Sequence, residues 1–120
     1  MVRTKSVYDP VEKSDGQRLL VTRFWPRGLS KAKLALTAWL RSLAPSRKLL
    51  KAWKTGEVSW KGYQARYKEE MAEQQDEIQK LAIKAAQGTI TLLCFEREGD
   101  PHCHRHLLKQ MIEARMVLSG

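Results

Sequence analysis

The sequence predicts an α/β fold, and three observations predict it. Residues 2–8, 18–24 and 89–95 are strand-like runs bounded by turn residues. Residues 59–87, between the last two runs, carry an apolar stripe at helical spacing. Residues 88–106, GTITLLCFEREGDPHCHRH, then read as a strand, a tight loop and a helix start. At 120 residues the chain is expected to form one domain spanning 1–120, large enough for a two- or three-layer core.

In the first run Val2, Thr4, Ser6 and Tyr8 alternate with Arg3, Lys5 and Val7, as in an edge or half-exposed strand. Asp9-Pro10 and Ser14-Asp15-Gly16 are turn signals, after which Leu19-Leu20-Val21 marks a buried second strand. The connection is long for a tight hairpin and short for a parallel crossover, which leaves the pairing of these strands open. The second strand runs into Arg23-Phe24-Trp25-Pro26-Arg27-Gly28. Pro26 pushes Trp25 out of helical geometry and Gly28 permits a sharp turn, so two arginines and an indole are presented at the strand's C-terminal end. Ligands of open α/β sheets sit at that end.

Leu36, Trp39, Leu40 and Leu43 recur at helical spacing, with Thr37 as N-cap and Pro45 as terminator. Ser46 is placed to cap a second short helix with Leu49, Leu50 and Trp53 on its apolar face and Gly56 at its end. From Ser59 onward, Trp60, Tyr63, Tyr67, Met71, Ile78, Leu81, Ala82 and Ala85 fall in one stripe. A straight helix of about 28 residues would be roughly 42 Å long, so a bend is expected at Gln74-Gln75-Asp76. The aromatic part of the stripe reads as core packing, because no alternating basic residues share its face. In the loop before the final helix, Glu98-Gly99-Asp100-Pro101 supplies turn residues, an N-cap at Asp100 and a proline for the first helical position. Cys103, Leu107, Met111 and Ala114 share one arc of that helix with His104 beside it, whereas His102, Arg105 and His106 point elsewhere.

A net charge of +9 favours anionic partners, and the scatter of Lys and Arg along the chain makes a purely solubilising role equally compatible with it. No apolar run approaches the ~20 residues of a membrane span, which excludes a helical membrane protein. The start Met-Val-Arg carries no apolar signal region, so the cytoplasm is expected, with both cysteines reduced there.

Reactive side chains crowd the last junction: Cys94, Glu96, Cys103, His104 and Arg105. A phosphatase-type cysteine fails, because neither Cys94 nor Cys103 has an arginine six positions on. Zinc at Cys94, Cys103 and His104 is chemically conceivable, but the spacing matches no compact motif, so no metal and no cofactor is expected. Cys103 can act as a nucleophile with Glu96 or His104 as base, since a helix N-terminus near cations acidifies a thiol; the competing reading is a buried structural cysteine. Binding of an anion without covalent chemistry would use Arg23, Arg27, Arg105 and the backbone N–H groups near Cys103, with Trp25 stacking or covering.

Tyr8-Asp9-Pro10, Asp15-Gly16, Trp25-Pro26-Arg27-Gly28, Leu43-Ala44-Pro45-Ser46 and Thr91-Leu92-Leu93 resemble the domain of unknown function 488 family, in particular its short YeaO-like branch. Cys94-x-Glu96 followed by Cys103-His104-Arg105 resembles the signature of longer members. The resemblance implies a cytoplasmic α/β domain with a small, mostly parallel sheet of about three strands flanked by helices. It implies no activity, and its motif residues here are Arg23, Trp25, Arg27, Cys94, Glu96, Cys103, His104 and Arg105. Thr22 departs from the acidic residue that short members carry there, and a closing strand of longer relatives is not expected after Gly120.

Together these readings place a candidate site at the strand C-termini. Cys103, His104, Glu96 and Cys94 are its catalytic candidates, and Arg23, Trp25, Arg27 and Arg105 its ligand-binding ones. An enzyme acting on a phosphate- or carboxylate-bearing small molecule is the first reading, and a non-catalytic nucleic-acid-binding module the alternative. Convergence of Arg23, Arg27 and Arg105 on Cys103 in a closed pocket would favour the enzyme, and an open basic groove the nucleic acid.

Overall fold

The computed structural model describes residues 1–97 and 99–119, so the expectations for Glu98 as a turn residue and for the chain end at Gly120 lie outside the described residues. Four strands, β1 (Val2–Ser6), β2 (Gln17–Leu20), β3 (Ala38–Trp39) and β4 (Ile90–Cys94), form one sheet in the order β1-β4-β2-β3. All three pairings are parallel. The last strand in sequence is therefore central, and all five of its residues are buried, as the apolar run ITLLC requires of a strand covered on both faces. Ser6 pairs with Cys94 and Leu20 with Leu93, which aligns the C-terminal ends of β1, β4 and β2.

Entry into β2 depends on Gly16. Its φ is +63°, and a Cβ there would lie 2.1 Å from the Thr89 carbonyl oxygen, so no side chain fits where the turn presses against the start of β4.

The two faces of the sheet are covered differently. Val2, Leu19, Ile90 and Leu92 face the helices α3 (Trp60–Met71), α4 (Gln75–Gln87) and α5 (His104–Ser119), and the core is closed by Tyr63, Tyr67, Met71, Ile78, Leu81, Leu108 and Ile112. Leu20 and Leu93 point the other way, onto Val7, Leu34, Trp25 and Trp39 from the connecting segments. Lys5, Arg18 and Thr91 share that second face by strand alternation. A buried polar cluster pairs them, with Arg18 Nη2 alone left without a partner. Asp15 accepts from Lys5 Nζ at 3.0 and 3.1 Å, from Arg18 at 2.5 Å and from the Glu12 amide at 3.0 Å, and Thr91 Oγ1 donates to its carbonyl oxygen at 2.6 Å.

Two local expectations fail for identifiable reasons. The helix expected around Leu36 to Leu43 is instead a one-turn α1 (Lys31–Leu34), the two-residue β3 and a 3-10 turn at Arg41–Leu43. Its apolar spacing fits a helix, but the Thr37 and Leu40 amides donate to Arg18 and Leu20 on β2, at 2.8 and 2.7 Å, and Thr37 Oγ1 accepts from the Arg18 amide rather than capping a helix. Sheet pairing overrides the local period. The final helix starts at His104, not at Pro101, and Asp100 accepts from the His102 amide in a turn. Its buried side is centred on Arg105, Leu108 and Ile112 (i, i+3, i+7), while Ala114 is exposed. Adjacent apolar pairs at 107–108 and 111–112 made two stripes possible, and the core uses both.

Elsewhere the signals hold. Ser46 and Ser59 cap α2 (Arg47–Lys54) and α3, accepting from the amides of Leu49 and Gly62 at 3.1 Å. Glu70 on α3 accepts from the Ser46 amide at 2.8 Å, which joins the two helices. The expected bend is a 3-10 turn at Ala72–Gln74.

Candidate functional site

The C-terminal ends of β2 and β4 and the start of α5 meet, as parallel neighbours must. Cys94 closes β4 on its helix-facing side, and Cys103 and His104 enter from the first turn of α5. All three are buried. Glu96 Oε2 lies 2.8 Å from Cys94 Sγ and 3.3 Å from Cys103 Sγ, and His104 Nδ1 lies 4.0 and 3.9 Å from the same sulfurs. On its other side His104 Nε2 is 2.6 Å from the Val21 carbonyl oxygen at the end of β2. A carbonyl only accepts, so Nε2 carries a proton, and Nδ1 is the ring nitrogen turned toward the thiols.

The electrostatics follow from this packing. The neighbouring Cys94 sulfur pulls the Cys103 thiol down to about 6 against the opposing effect of burial, with His104 helping and Glu96 opposing. Cys94 is driven well above the ordinary range by Cys103 beside it and by burial. Burial raises Glu96, but the Cys94 thiol, its own backbone amide and Cys103 outweigh it and leave the carboxyl below its usual value. Tyr63 is raised by burial and by the negative neighbours Cys103, Cys94 and Glu96. Acidification of Cys103 thus comes from a second thiol before any helix terminus.

The cavity into which these atoms open is only about 50 Å³. Small-molecule pockets are roughly 300–1,000 Å³, so the space suits an ion or a water rather than a nucleotide. His102, expected to point away, is exposed but packs on Trp60 and Trp53 at ring-centroid distances of 4.7 and 5.8 Å and lines the cavity mouth. His106 lies apart, bonded to the Asp100 carbonyl at 2.9 Å.

The arginines do not converge there. Arg105 is fully buried and donates to the carbonyls of Lys5, Glu96 and Arg97 at 3.1, 2.8 and 2.6 Å, fixing the loop after β4. Arg23 lines the cavity, but its guanidinium is held by the carbonyls of Pro45 and Ala44 at 2.9 and 3.5 Å. Trp25 donates to the Leu29 carbonyl at 2.7 Å and packs edge-on against Trp39. Arg27 is exposed on a separate, open depression with Tyr8, Phe24, Lys54 and Phe95. A second depression of about 590 Å³ adjoins it, sharing Phe24, Lys54 and Phe95 and adding Arg47 and Lys51. Sequence reading missed this basic side of α2, although Arg47, Lys51 and Lys54 are spaced i, i+4, i+7 opposite the apolar face that was found.

Over residues 1–119 the sequence matches a family described as "Inactive DUF488-N3 subclade". The chain belongs to the DUF488 family. Among DUF488 relatives it is similar to the "Uncharacterized protein YeaO" of Escherichia coli (strain K12), at 41% identity over 92 residues, covering 77% of this chain and 80% of that protein. It is also similar to "Uncharacterized protein Rv3073c" of Mycobacterium tuberculosis, at 34% identity over 70 residues, covering 58% of this chain and 59% of that one. No solved structure matches. Among the described residues of this DUF488 protein, no helix is long and apolar enough to cross a membrane.

Proposed function

We propose that this DUF488 protein is a non-catalytic module that binds single-stranded nucleic acid across the open depressions around Phe24. One observation carries the reading: Tyr8 and Phe24 expose 58% and 48% of their surface within a ring of Arg27, Arg47, Lys51 and Lys54. Exposed rings stack on bases and the surrounding cations track phosphates, which is how strands are held without sequence readout. Arg47 already sits 5.2 Å from the centroid of Phe24, so guanidinium and ring face the same side. The net charge of +9 adds long-range attraction, and a cytoplasmic setting would supply the ligand. The word "inactive" in the matched family's description agrees with a binding role.

Fluorescence anisotropy with labelled single-stranded oligonucleotides over a salt series tests this. Arg27→Ala and Lys54→Ala should each reduce the salt slope by about 0.7, the value for one phosphate contact on a single strand. Phe24→Ala should lose about 1–3 kcal/mol of affinity while keeping the slope. Absence of binding at low salt would refute the proposal.

A thiol enzyme is the second reading, favoured by the Cys103 thiol held down to about 6 beside His104 and Glu96. The size of the cavity counts against it, because no anionic substrate of the expected kind fits around that sulfur.

A further inference from the structure

We propose that Cys94, Cys103, His104 and Glu96 form a site for a thiophilic divalent cation, with Zn2+ the ion whose ligand preferences they match. One donor atom from each of Cys94, Cys103 and His104 lies within 4.8 Å of the others. Zinc bonds of about 2.3 Å to sulfur and 2.0 Å to nitrogen place neighbouring S and N ligands roughly 3.6 Å apart in a tetrahedron. The two Sγ···Nδ1 separations here are 4.0 and 3.9 Å, and Glu96 Oε2 stands 2.8 and 3.3 Å from the sulfurs as a fourth corner. Seating an ion requires the imidazole to close on the sulfurs by a few tenths of an ångström and the Glu96 carboxylate to draw back from Cys94 by roughly 0.7 Å.

Three further observations point the same way. His104 is held by the Val21 carbonyl at its far nitrogen, the outer-shell arrangement that fixes the tautomer of a metal-binding imidazole. The cavity of about 50 Å³ admits an ion and little else. Among the described residues, no Lys or Arg side chain forms an ion pair with the Glu96 carboxylate, which leaves its oxygens facing the two sulfurs. Binding forms two Zn–S bonds, and each cysteine still protonated at the working pH gives its proton to solvent, while the neutral imidazole and the carboxylate donate lone pairs without losing protons. The sequence spacing from Cys94 to Cys103 resembles no compact zinc motif because the chain leaves a strand end and returns at a helix start. Topology closes that gap, and the ion would join the end of β4 to the start of α5. This proposal rests on different observations from the nucleic-acid reading, although the two cavities share Phe24, Leu50, Phe95 and Glu96 in their linings.

The experiment titrates the chelator-treated full chain with Zn2+ and, separately, with Co2+. The expected result is one equivalent of either ion, a rise in thermal midpoint with Zn2+, and a cobalt spectrum with tetrahedral bands and a thiolate charge-transfer band. Cys103→Ser and Cys94→Ser should each lose the charge-transfer intensity of one sulfur, and His104→Gln should lose tetrahedral binding. Lys51→Ala should leave the spectrum unchanged. Because Cys94 is deeply packed, thiol counting on the unaltered chain provides a measurement that needs no variant: one equivalent of Zn2+ should shield both cysteines from a disulfide reagent. Absence of stoichiometric binding, an octahedral cobalt spectrum without the sulfur band, unshielded thiols, or unchanged binding in the Cys94→Ser/Cys103→Ser double variant would each overturn the proposal.

Discussion

Two buried polar clusters sit on opposite faces of one sheet, and they are built on opposite principles. Around Asp15, two carboxylates, Asp15 and the exposed Glu12, meet three cations, Lys5, Arg18 and, at 3.9 Å, Arg3, and backbone groups fill much of what remains. Around His104, two thiols, a carboxylate and an imidazole lone pair converge on one small space without a Lys or Arg partner among the described residues. The first cluster turns its charges on one another, and Arg18 Nη2 is its one buried nitrogen left without a hydrogen-bond partner. The second directs its acceptors at a common point. Burial of polar groups is thus no mark of function by itself; what distinguishes a candidate site is donor capacity that the protein leaves unspent.

The largest effect expected from this contrast is on stability at Asp15. Asp15→Ala would leave Arg18 buried without its counter-charge and Lys5 with Glu12 alone, and removing one partner of a buried pair costs about 3–5 kcal/mol. Urea unfolding measures it, and a loss below about 1 kcal/mol would erase the distinction between the clusters. The same cluster sets a pH dependence. Burial pushes the Asp15 carboxyl up, but the Glu12 amide, Lys5 and Arg18 outweigh that and hold it below its ordinary value. A carboxyl depressed in the folded state contributes stability fully above its unfolded pKa of about 3.9 and loses it as pH falls through the folded value. Stability of the native chain should therefore drop more steeply below about pH 4 than that of Asp15→Asn.

Next in size is Arg105, which the sequence grouped with the reactive residues and the structure places as their scaffold. Its three carbonyl contacts fix the loop that delivers Glu96. Arg105→Met should cost about 2–3 kcal/mol, as loss of buried charge-assisted hydrogen bonds does. Arg105→Lys should not restore it, because an ammonium cannot reproduce the planar fork. Proteolysis within residues 95–103 should accelerate in both variants. Unaltered stability would mean that Arg105 is available for a ligand after all.

These assignments mark where the sequence could be read and where it could not. The strand runs, the Ser46 and Ser59 caps, the stripe from Tyr63 to Ala85 and the meeting of Cys94 with Cys103 and His104 follow from local periodicity and one topological rule. Residues 36–43 were misread because their apolar spacing fits a helix while β2 offers them a sheet edge, a partner invisible in local sequence. Arg105 was misplaced because adjacent apolar pairs permit two phases of α5, and the core uses both, which turns Arg105 inward as well. The basic stripe of α2 was legible but went unread beside the more conspicuous arginines of the Trp25-Pro26-Arg27-Gly28 loop.

The smallest expected effect on stability sharpens the contrast most. In chelator-treated protein, Cys103→Ala should cost about 1 kcal/mol or less, because Cys103 brings a weak hydrogen bond and little volume to the fold. Yet the same substitution should remove a distinct ionisation. Ultraviolet thiolate absorbance of the native chain should rise in two separate steps, the first centred near pH 6 and belonging to Cys103, the second well above the ordinary thiol range and belonging to Cys94. Cys103→Ala should delete the first step, and Cys94, relieved of that neighbouring thiolate, should titrate lower than before. A single step near pH 8.5 in the native chain would mean that the two sulfurs titrate independently. The second cluster would then be a set of independent buried side chains, and its difference from the Asp15 cluster would reduce to the absence of cations.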